Sequence, residues 1–406
     1  MRERSGPNEY GTYAYYLSLL SLLSVPAQIG LPTLVTRETA GACEQGTLGR
    51  LIKLWRWALL TAASLSLIVI LLATLVMPRI QQNLPAGNER VLYWGFMLVP
   101  AMVLCDVRSS ALIGMGSVLS GQLSENVIRP GVLLALTALI YLAYPSFYTA
   151  KAGMAATAVA ALVSLVVLEY IQRSKTPKIS KNQRVEYDAR VWSGALWPLG
   201  MTAGVHLINR NTDILMLGLF HSSDDVGVYR VAAHGAMLVP FGLTIVNVVF
   251  APRFARLFAS GKTPELQRAT PHSAQISFAF ALSVALTFLF FGRPILSHLI
   301  GASYSEGAAA LSILSLGQLM NVGMASVAIL LNMTGHERDT AKGVAVGAAT
   351  NVALNLVLIP PYGMVRAAIA SAAALAVLNV ILYTSVTKRL RVHATFLFPF
   401  RAKGTQ

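Results

Sequence analysis

The stretch VWSGALWPLGMTAGVHLINRNTDILMLGLFHSSDDVGVY, residues 191–229, is apolar enough to enter a bilayer, yet it carries His206, Arg210 and Asp213 in its interior. On a helix these three positions are spaced i, i+4 and i+7, so their side chains share one face. A charge inside a membrane helix costs a few kcal/mol. We therefore expect this face to point into a helix bundle, towards water or a polar ligand. An alternative is that Arg210 and Asp213 form an ion pair that joins two helices.

The composition extends this interpretation to the whole chain. Of its 406 residues, 55% are hydrophobic and only 12% are charged, whereas average globular chains carry about 25% charged residues. Apolar runs of roughly 20 residues recur, and each is long enough to cross a bilayer. The sequence therefore predicts an all-α, multi-pass protein of the inner (plasma) membrane. It argues against an outer-membrane barrel, which would show shorter segments of alternating hydrophobicity.

The apolar runs predict about eleven spans. They cover residues 10–34, 57–77, 93–115, 127–144, 153–171, 193–220, 227–250, 273–291, 307–331, 343–359 and 364–386. We expect an N-terminal bundle of five spans in residues 1–171, a basic linker in 172–190, a C-terminal bundle of six spans in 191–386 and a basic tail in 387–406.

The net charge of +15 follows the orientation bias of membrane proteins, because the basic residues concentrate in alternate loops. This pattern predicts cytoplasmic loops around residues 37–53, 172–190, 253–268 and 338–342, a cytoplasmic tail and no nucleic-acid partner. The linker has two interpretations, a plain connector or a loop that binds lipid headgroups. The two cysteines, Cys43 and Cys105, form no CxxC or Cys/His cluster, and we expect no metal site and no cofactor.

The two halves share an ordered series of short motifs, as duplicated transporter halves do. Gly11-x-Tyr13 matches Gly227-x-Tyr229, and further pairs follow in the same order. These pairs are Val25-Pro26 with Val239-Pro240, Gly114-x-Gly116 with Thr334-Gly335, and Tyr144-Pro145 with Ile359-Pro360. The second half begins with a span that has no partner in the first. We therefore expect that this chain lacks a first helix that its relatives possess.

Several of these motifs carry a family resemblance. GPNEYGTY (6–13), PAQIGLP (26–32) and RETA (37–40) resemble the opening of the polysaccharide-biosynthesis flippases, the O-antigen repeat-unit translocases of the multidrug/oligosaccharidyl-lipid/polysaccharide exporter superfamily. Four further stretches resemble the second half of that family's sequences: NRNTDILMLG (209–218), VGVY (226–229), NVALN (351–355) and IPPYGMVRAA (359–368). The resemblance covers nearly the whole chain, and its motifs mark the fold better than the substrate.

The resemblance implies two helical bundles that form a V around a central cavity, as in the related drug exporters. It also implies a transporter that is not an enzyme. Its cargo would be an undecaprenyl-pyrophosphate-linked oligosaccharide, moved from the cytoplasmic to the outer leaflet. Its other partners would be membrane lipids and the polysaccharide polymerase and chain-length machinery.

An anionic pyrophosphate calls for arginine, which pairs with phosphate through two parallel hydrogen bonds. The candidate substrate-binding residues are Arg210, Asp213, His206, Arg230, His234 and Arg108. The candidate ion-coupling residues are Asp213 and Asp106, since carboxylates inside transporters often relay protons. Asp106 and Arg108 are two residues apart and point to different sides of their helix. Seven amides are candidates either to bind sugar or to join helices: Asn209, Asn211, Asn247, Gln318, Asn321, Asn351 and Asn355.

Two other function classes fit a multi-pass helical membrane protein. A multidrug or cation antiporter of the same superfamily would need an acidic cavity, whereas the interior here holds more arginine than acid. A membrane-embedded glycan polymerase or transferase would need a large outer loop or an acid/base pair. The outer loops are short, and Asp224-Asp225 is better interpreted as a turn and helix cap.

Overall fold

The computed structural model describes residues 7–44, 48–80, 89–143, 149–176, 189–260, 262–324, 327–390 and 392. The side chains of residues 201–210 and of some further helical positions lie outside that description. The predicted basic linker and C-terminal tail fall largely on residues that are not described.

Helices account for nearly all of the described residues, as expected where the bilayer core forces the backbone to satisfy its own hydrogen bonds. In chain order the α-helices are α1 (Pro7–Gln28), α2 (Leu31–Glu44), α3 (Leu48–Ile80), α4 (Glu89–Gly114), α5 (Val118–Leu123), α6 (Arg129–Ala143), α7 (Ala150–Lys175), α8 (Ala189–Phe220), α9 (Ser223–Ala236), α10 (Phe241–Ala259), α11 (Thr263–Ile295), α12 (Ala308–Gly323), α13 (Val327–Met333) and α14 (Glu337–Leu390). A π-helical turn, Ser124–Ile128, joins α5 to α6, and another, Leu296–Ile300, follows α11. The 3₁₀ segment Ala302–Gly307 leads into α12.

Seven helices of the described residues are long and apolar enough to cross a membrane, and nine spans result if each of two bent pairs counts as one. The remaining two predicted spans correspond to α8, part of whose side chains are not described, and to α12 followed by α13. The all-α, multi-pass fold is therefore confirmed, and the protein is a multi-pass membrane protein.

The described chain divides into two compact units. The first runs from Thr12 to Asn211, and the second comprises Thr212–Gln406 together with Gly6–Gly11. The division falls inside α8, whereas the sequence suggested the basic linker just before that helix. In the first unit α4 packs against α7 and α2, and in the second α12 packs against α11 and α14.

Local geometry recurs in the two units at positions that the sequence motifs matched. Pro26 lies just before the 48° bend between α1 and α2, and Pro240 lies at the 42° bend between α9 and α10. Gly116 and Gly335, which end matching spans, both have φ of +79°. The short motifs shared by the halves therefore mark the places where each unit bends or turns.

Helix α14 is broken at Gly363, whose φ of 63° and ψ of −147° are not helical. A side chain disfavours such a positive φ, and glycine has none. The preceding Pro360 and Pro361 cannot donate backbone hydrogen bonds. Near this break, the His221 ring donates from Nε2 to the carbonyl oxygen of Ile359 at 2.7 Å. The break divides α14 into two spans, Arg338–Pro361 and Gly363–Leu390.

Candidate functional site: a carboxylate held by neutral donors

Asp213 lies on α8, within the apolar stretch of residues 191–229. The helix is continuous from Ala189 to Phe220, so the predicted i, i+4, i+7 relation of His206, Arg210 and Asp213 holds for the backbone. The side chains of His206 and Arg210 are outside the described residues, as is that of Asn209. The Asp213 side chain is described, and the second unit surrounds it with polar groups.

Three neutral donors hold the Asp213 carboxylate. Tyr229 on α9 donates its phenol hydrogen to Oδ2 at 2.8 Å, and Asn355 on α14 donates from Nδ2 to Oδ1 at 2.6 Å. Ser371, beyond the α14 break, also donates to Oδ2. Tyr229 is 1% exposed and Asn355 is fully buried. Among the described side chains, none that contacts this carboxylate is cationic.

A second layer extends the network along α14. Asn351 donates from Nδ2 to the Ser371 hydroxyl at 3.1 Å, and its own Oδ1 accepts from Asn355 Nδ2 at 3.1 Å. The Asn355 carbonyl oxygen Oδ1 is buried with no hydrogen-bond partner. A buried acceptor of this kind normally costs about 1–3 kcal/mol when it is left unsatisfied.

The arrangement collects oxygen atoms of low polarisability around one negative charge. The carboxylate of Asp213, the amide oxygens of Asn351 and Asn355 and the hydroxyls of Ser371 and Tyr229 are the kind of ligand that hard cations prefer. Discontinuous helices are also where transporters bind their coupling ions, and α14 is discontinuous at Gly363. The group is therefore chemically suited to take up a proton or a small cation.

Local sequence features fix the helices that carry these groups. Helix α9 begins after Ser222, whose hydroxyl accepts the backbone N–H of Asp225 at 3.2 Å, as an N-cap does. Asp224 and Asp225 occupy the first turn, where a negative charge is favourable. The acidic pair was interpreted as a turn and helix cap, whereas the cap is Ser222 and the two aspartates belong to the first turn of α9. The cap sets where α9 starts, and so fixes the position of Tyr229 two turns further on.

Arg230 and His234 are on α9 but make other contacts. The Arg230 guanidinium donates to the Tyr10 hydroxyl. His234 is exposed, and its Nδ1 donates to the carbonyl oxygen of Arg230 at 2.8 Å. Arg230 follows Tyr229 directly, so its side chain leaves the helix in a different direction. The described contacts therefore do not join these two residues to the Asp213 carboxylate.

In the first unit, Asp106 and Arg108 project to different sides of α4, as their spacing predicted. Arg108 forms an ion pair with Glu169 and donates to Gln172 Oε1 at 2.7 Å, both on α7. Asp106 accepts from Gln28 Nε2 at 2.8 Å, at the end of α1. Each charged side chain thus has a partner on a neighbouring helix.

The remaining candidate amides have separate positions. Asn379 on α14 donates to Asn321 Oδ1 at 3.0 Å, and Asn321 donates to Gln318 Oε1 at 3.3 Å, so these three join α12 to α14. This geometry favours the helix-joining alternative for Gln318 and Asn321. Asn211 is 7% exposed and Asn247 is half-buried.

Sequence reasoning missed several members of these networks. Tyr229 was noticed only as part of a repeated motif, and Ser371 is one small residue in an alanine-rich run. Gln28, Glu169 and Gln172 were not singled out either. The only advance signal was the i, i+4 spacing of Asn351 and Asn355, which places two amides on one face.

Comparisons with known proteins agree with this architecture. The chain is 21% identical over 387 residues to the probable low-salt glycan biosynthesis flippase Agl15 of Haloferax volcanii, an alignment that covers 93% of this chain and 76% of that protein. It is 26% identical over 197 residues to the probable flippase AglR of the same organism, over 48% of this chain and 40% of that one.

Solved structures show the same fold at low sequence identity. An inward-facing multidrug resistance MATE family transporter of the MOP superfamily aligns with a TM-score of 0.78 and 12% identity, over 95% of this chain and 91% of that one. The lipid II flippase MurJ in an inward closed conformation aligns with a TM-score of 0.72 and 12% identity, over 93% and 82% of the two chains. The family model described as polysaccharide biosynthesis protein matches residues 6–258. With well over half of its length matched, the chain belongs to the polysaccharide biosynthesis protein family.

Proposed function

We propose that the protein is a flippase for a lipid-linked oligosaccharide. In this proposal it moves undecaprenyl-pyrophosphate-linked repeat units of an O-antigen or similar surface polysaccharide from the cytoplasmic to the outer leaflet of the inner membrane by alternating access. Membership of the family and the two relatives named as probable flippases support a role in glycan export. The polymerase and chain-length machinery would receive the translocated unit.

The observation that carries the proposal is the Asp213 carboxylate with its neutral donors. A carboxylate inside a helix bundle lowers the stability of a membrane protein, so its presence is best explained by a functional role. Binding of a proton or a small cation would neutralise Asp213 and would give the orphaned oxygen of Asn355 a partner. Ser371 and Asn355 lie on the two sides of the α14 break, so a bound cation would contact both segments of the helix. Ion binding would therefore favour one arrangement of the two segments, and a gradient-driven transporter requires such coupling between ion binding and conformation.

Arg210 is the residue we assign to the pyrophosphate. It precedes Asp213 by three residues, so the two positions share a side of α8, and a guanidinium can bind two phosphate oxygens at once. His206, one turn earlier, would extend the same face. Arg230 and His234 would contribute a second cationic position on α9. Arg108 is the weaker candidate, because Glu169 and Gln172 already engage its guanidinium.

Complementation tests the function. The chain is expressed in a strain whose own repeat-unit flippase is deleted, and surface polysaccharide is examined on a gel. We expect restoration by the wild-type protein and by Asp224→Asn, an exposed acid of the same unit. We expect Asp213→Asn to fail while immunoblots show equal protein in the membrane. Drug resistance without polysaccharide would instead support the multidrug antiporter and overturn the proposal.

Cation binding is tested on the purified protein. The apparent melting temperature is compared in sodium chloride and choline chloride, at several pH values. We expect the wild-type protein to gain stability from one cation, sodium or the proton, and Asp213→Asn to lose that dependence. An unchanged dependence in Asp213→Asn would remove Asp213 from the coupling site.

A further inference from the structure

A cavity on the first unit lies apart from the polar network around Asp213. It has a volume of about 540 Å³, and all of its described lining residues come from α3: Lys53, Arg56, Trp57, Leu60, Thr61, Ser64 and Leu65. These positions follow the spacing i, i+3, i+4, i+7, i+8, i+11 and i+12, so they form a single stripe along one helix face. At 1.5 Å per residue the stripe is about 18 Å long. We call this cavity, with the stripe of α3 residues that lines it, the α3 groove.

The chemistry of the α3 groove changes from one end to the other. Lys53 and Arg56 are exposed cations at its start. Trp57 comes next and packs against Trp192, with ring centroids 5.4 Å apart. Beyond it, Leu60 and Leu65 supply an apolar wall. A cationic head followed by a tryptophan and an apolar track is the profile of a membrane interface that continues into the hydrocarbon core.

The sequence assigns a side of the membrane to the cationic end. The basic stretch that the charge rule places in the cytoplasm, residues 37–53, includes the first turn of α3, which begins at Leu48. Lys53 and Arg56 therefore lie at the phosphate level of the cytoplasmic leaflet. From there the groove reaches about half-way across the bilayer, since the hydrocarbon core is about 30 Å thick.

Arg56 is available for a ligand. Glu38, which contacts the first turn of α3 through Arg50, pairs with Arg37 and Arg50 at 3.1 Å and 3.2 Å. Among the carboxylates of the described residues, none forms an ion pair with Arg56. A guanidinium that has no ion-pair partner in the described part of the chain, and lies beside a lysine, is complementary to a phosphate or pyrophosphate group.

The charge at the head of the groove matches a pyrophosphate. Two adjacent cations, Lys53 and Arg56, can pair with two phosphates, whereas an ordinary phospholipid offers one. Leu60, in the middle of the stripe, is 70% exposed. Little of the α3 span is buried within the protein, so a lipid can reach the groove directly from the membrane.

We propose that the α3 groove is the docking site for the polyprenyl pyrophosphate carrier in the cytoplasmic leaflet, with Lys53 and Arg56 on the pyrophosphate and Trp57 and Leu60 on the first isoprene units. The proposal rests on the proposed flippase function, because it takes the substrate class from there. It adds a place where the lipid-linked substrate is held before transport.

Lipid binding by the full chain tests the proposal without requiring transport. Purified protein in detergent is mixed with undecaprenyl pyrophosphate, and bound lipid is counted by native mass spectrometry. We expect one molecule to be retained by the wild-type protein. Each basic residue at a lipid surface contributes about fivefold in affinity, so Lys53→Gln with Arg56→Gln should weaken binding at least about tenfold. The matched double variant Lys262→Gln with Arg268→Gln, which removes two cations from the second unit, should bind as the wild-type protein does.

A photoreactive side chain locates the bound lipid. Benzoylphenylalanine in place of Leu60 should crosslink to undecaprenyl pyrophosphate, whereas the same group in place of Leu72, which does not line the groove, should crosslink much less. The Leu60 crosslink should disappear when Lys53 and Arg56 are both replaced. Equal crosslinking at the two positions would overturn the assignment of the site.

Competitors decide the class of ligand. Phosphatidylglycerol that displaces the polyprenyl lipid at equal concentration would make the groove an ordinary site for anionic phospholipid and overturn the proposal. Undecaprenol that binds as tightly as the pyrophosphate would overturn the role of the two cations. A protein that binds the pyrophosphate at Leu60 but restores no polysaccharide would contradict the proposed function and leave the binding site intact.

Discussion

Gly11 and Gly227 lie where the first turns of α1 and α9 touch backbone to backbone. A Cβ on Gly11 would overlap the carbonyl oxygen of Ser223, and a Cβ on Gly227 would overlap the carbonyl oxygen of Pro7. Gly11 thus faces Ser223, four residues before Gly227, and Gly227 faces Pro7, four residues before Gly11. Small residues permit such close approach of helices in membranes, where packing replaces the hydrophobic effect as the main attraction.

Alanine at either glycine should therefore destabilise the protein. In most helix positions Gly→Ala is favourable by about 1 kcal/mol, but here the added methyl group must separate two backbones, which should cost about 1–3 kcal/mol. We expect Gly227→Ala and Gly11→Ala each to lower the apparent melting temperature in detergent. Gly41→Ala is the control, because a Cβ at that helical position meets nothing within 4 Å. Equal melting temperatures for all three variants would contradict the close packing.

The same motif shows what the sequence could and could not predict. Gly-x-Tyr opens a helix in both halves, and its repetition correctly marked matching positions. The motif did not reveal that its two glycines contact each other, since periodicity identifies the face of a helix but not its partner. Likewise, Asp213 was predicted to lie on a helix face that points into the bundle, towards water or a polar ligand. Its donors Asn355 and Ser371 are 142 and 158 residues away, and only the folded chain brings them together.

The bends were predictable for a different reason. Pro26 and Pro240 act through their own covalent geometry, which is present in the sequence itself. The ion pair of Arg108 with Glu169 was not predictable from the sequence. The chain contains several acidic and basic residues that could pair with either of them, and spacing alone does not choose among these partners.

Graded loss of donors should change cation binding in steps, and the sign should identify the cation. Tyr229→Phe removes one hydrogen bond to Asp213 and keeps the ring that is buried there. We expect a change in the cation-dependent gain in melting temperature equivalent to about 1 kcal/mol. The gain should fall for sodium, which loses an oxygen ligand, and rise for the proton, because the lost donor stabilised the ionised carboxylate. Ser371→Ala should have a larger effect on cation affinity, because Ser371 contacts both Asp213 and Asn351. Asn379→Ala, which disrupts a different amide network, should leave the cation dependence unchanged.

Substitutions of Arg108 and Glu169 should have non-additive effects on the free energy of unfolding. Among the described residues, Arg108→Gln leaves Glu169 with the exposed Arg173, and Glu169→Gln leaves Arg108 with Gln172. Each single variant should lose about 2 kcal/mol of stability. The double variant should lose less than the sum, because the second change then removes no further ion pair. Thermal unfolding of the four proteins measures this coupling, and additive losses would show that the pair contributes nothing.

The same variants test a substrate role for Arg108. If Arg108 binds the pyrophosphate, Arg108→Gln should reduce polysaccharide export much more than Glu169→Gln does, even after correction for protein level. If Arg108 only joins α4 to α7, the two variants should reduce export together with stability.

Two substitutions of Asp106 should distinguish its role as a hydrogen-bond acceptor from a role of its negative charge. It accepts the Gln28 amide at 2.8 Å, directly before Ile29 and Gly30, whose positive φ angles of 33° and 79° form the joint between α1 and α2. Asp106→Asn keeps an acceptor oxygen for Gln28, so the variant should unfold at nearly the wild-type temperature. Asp106→Ala leaves the amide of Gln28 without its acceptor and should cost about 1–3 kcal/mol. If Asp106 takes part in ion coupling, Asp106→Asn should fold normally but export little polysaccharide. Normal export by Asp106→Asn would limit the residue to holding the bend, and would leave Asp213 as the coupling carboxylate.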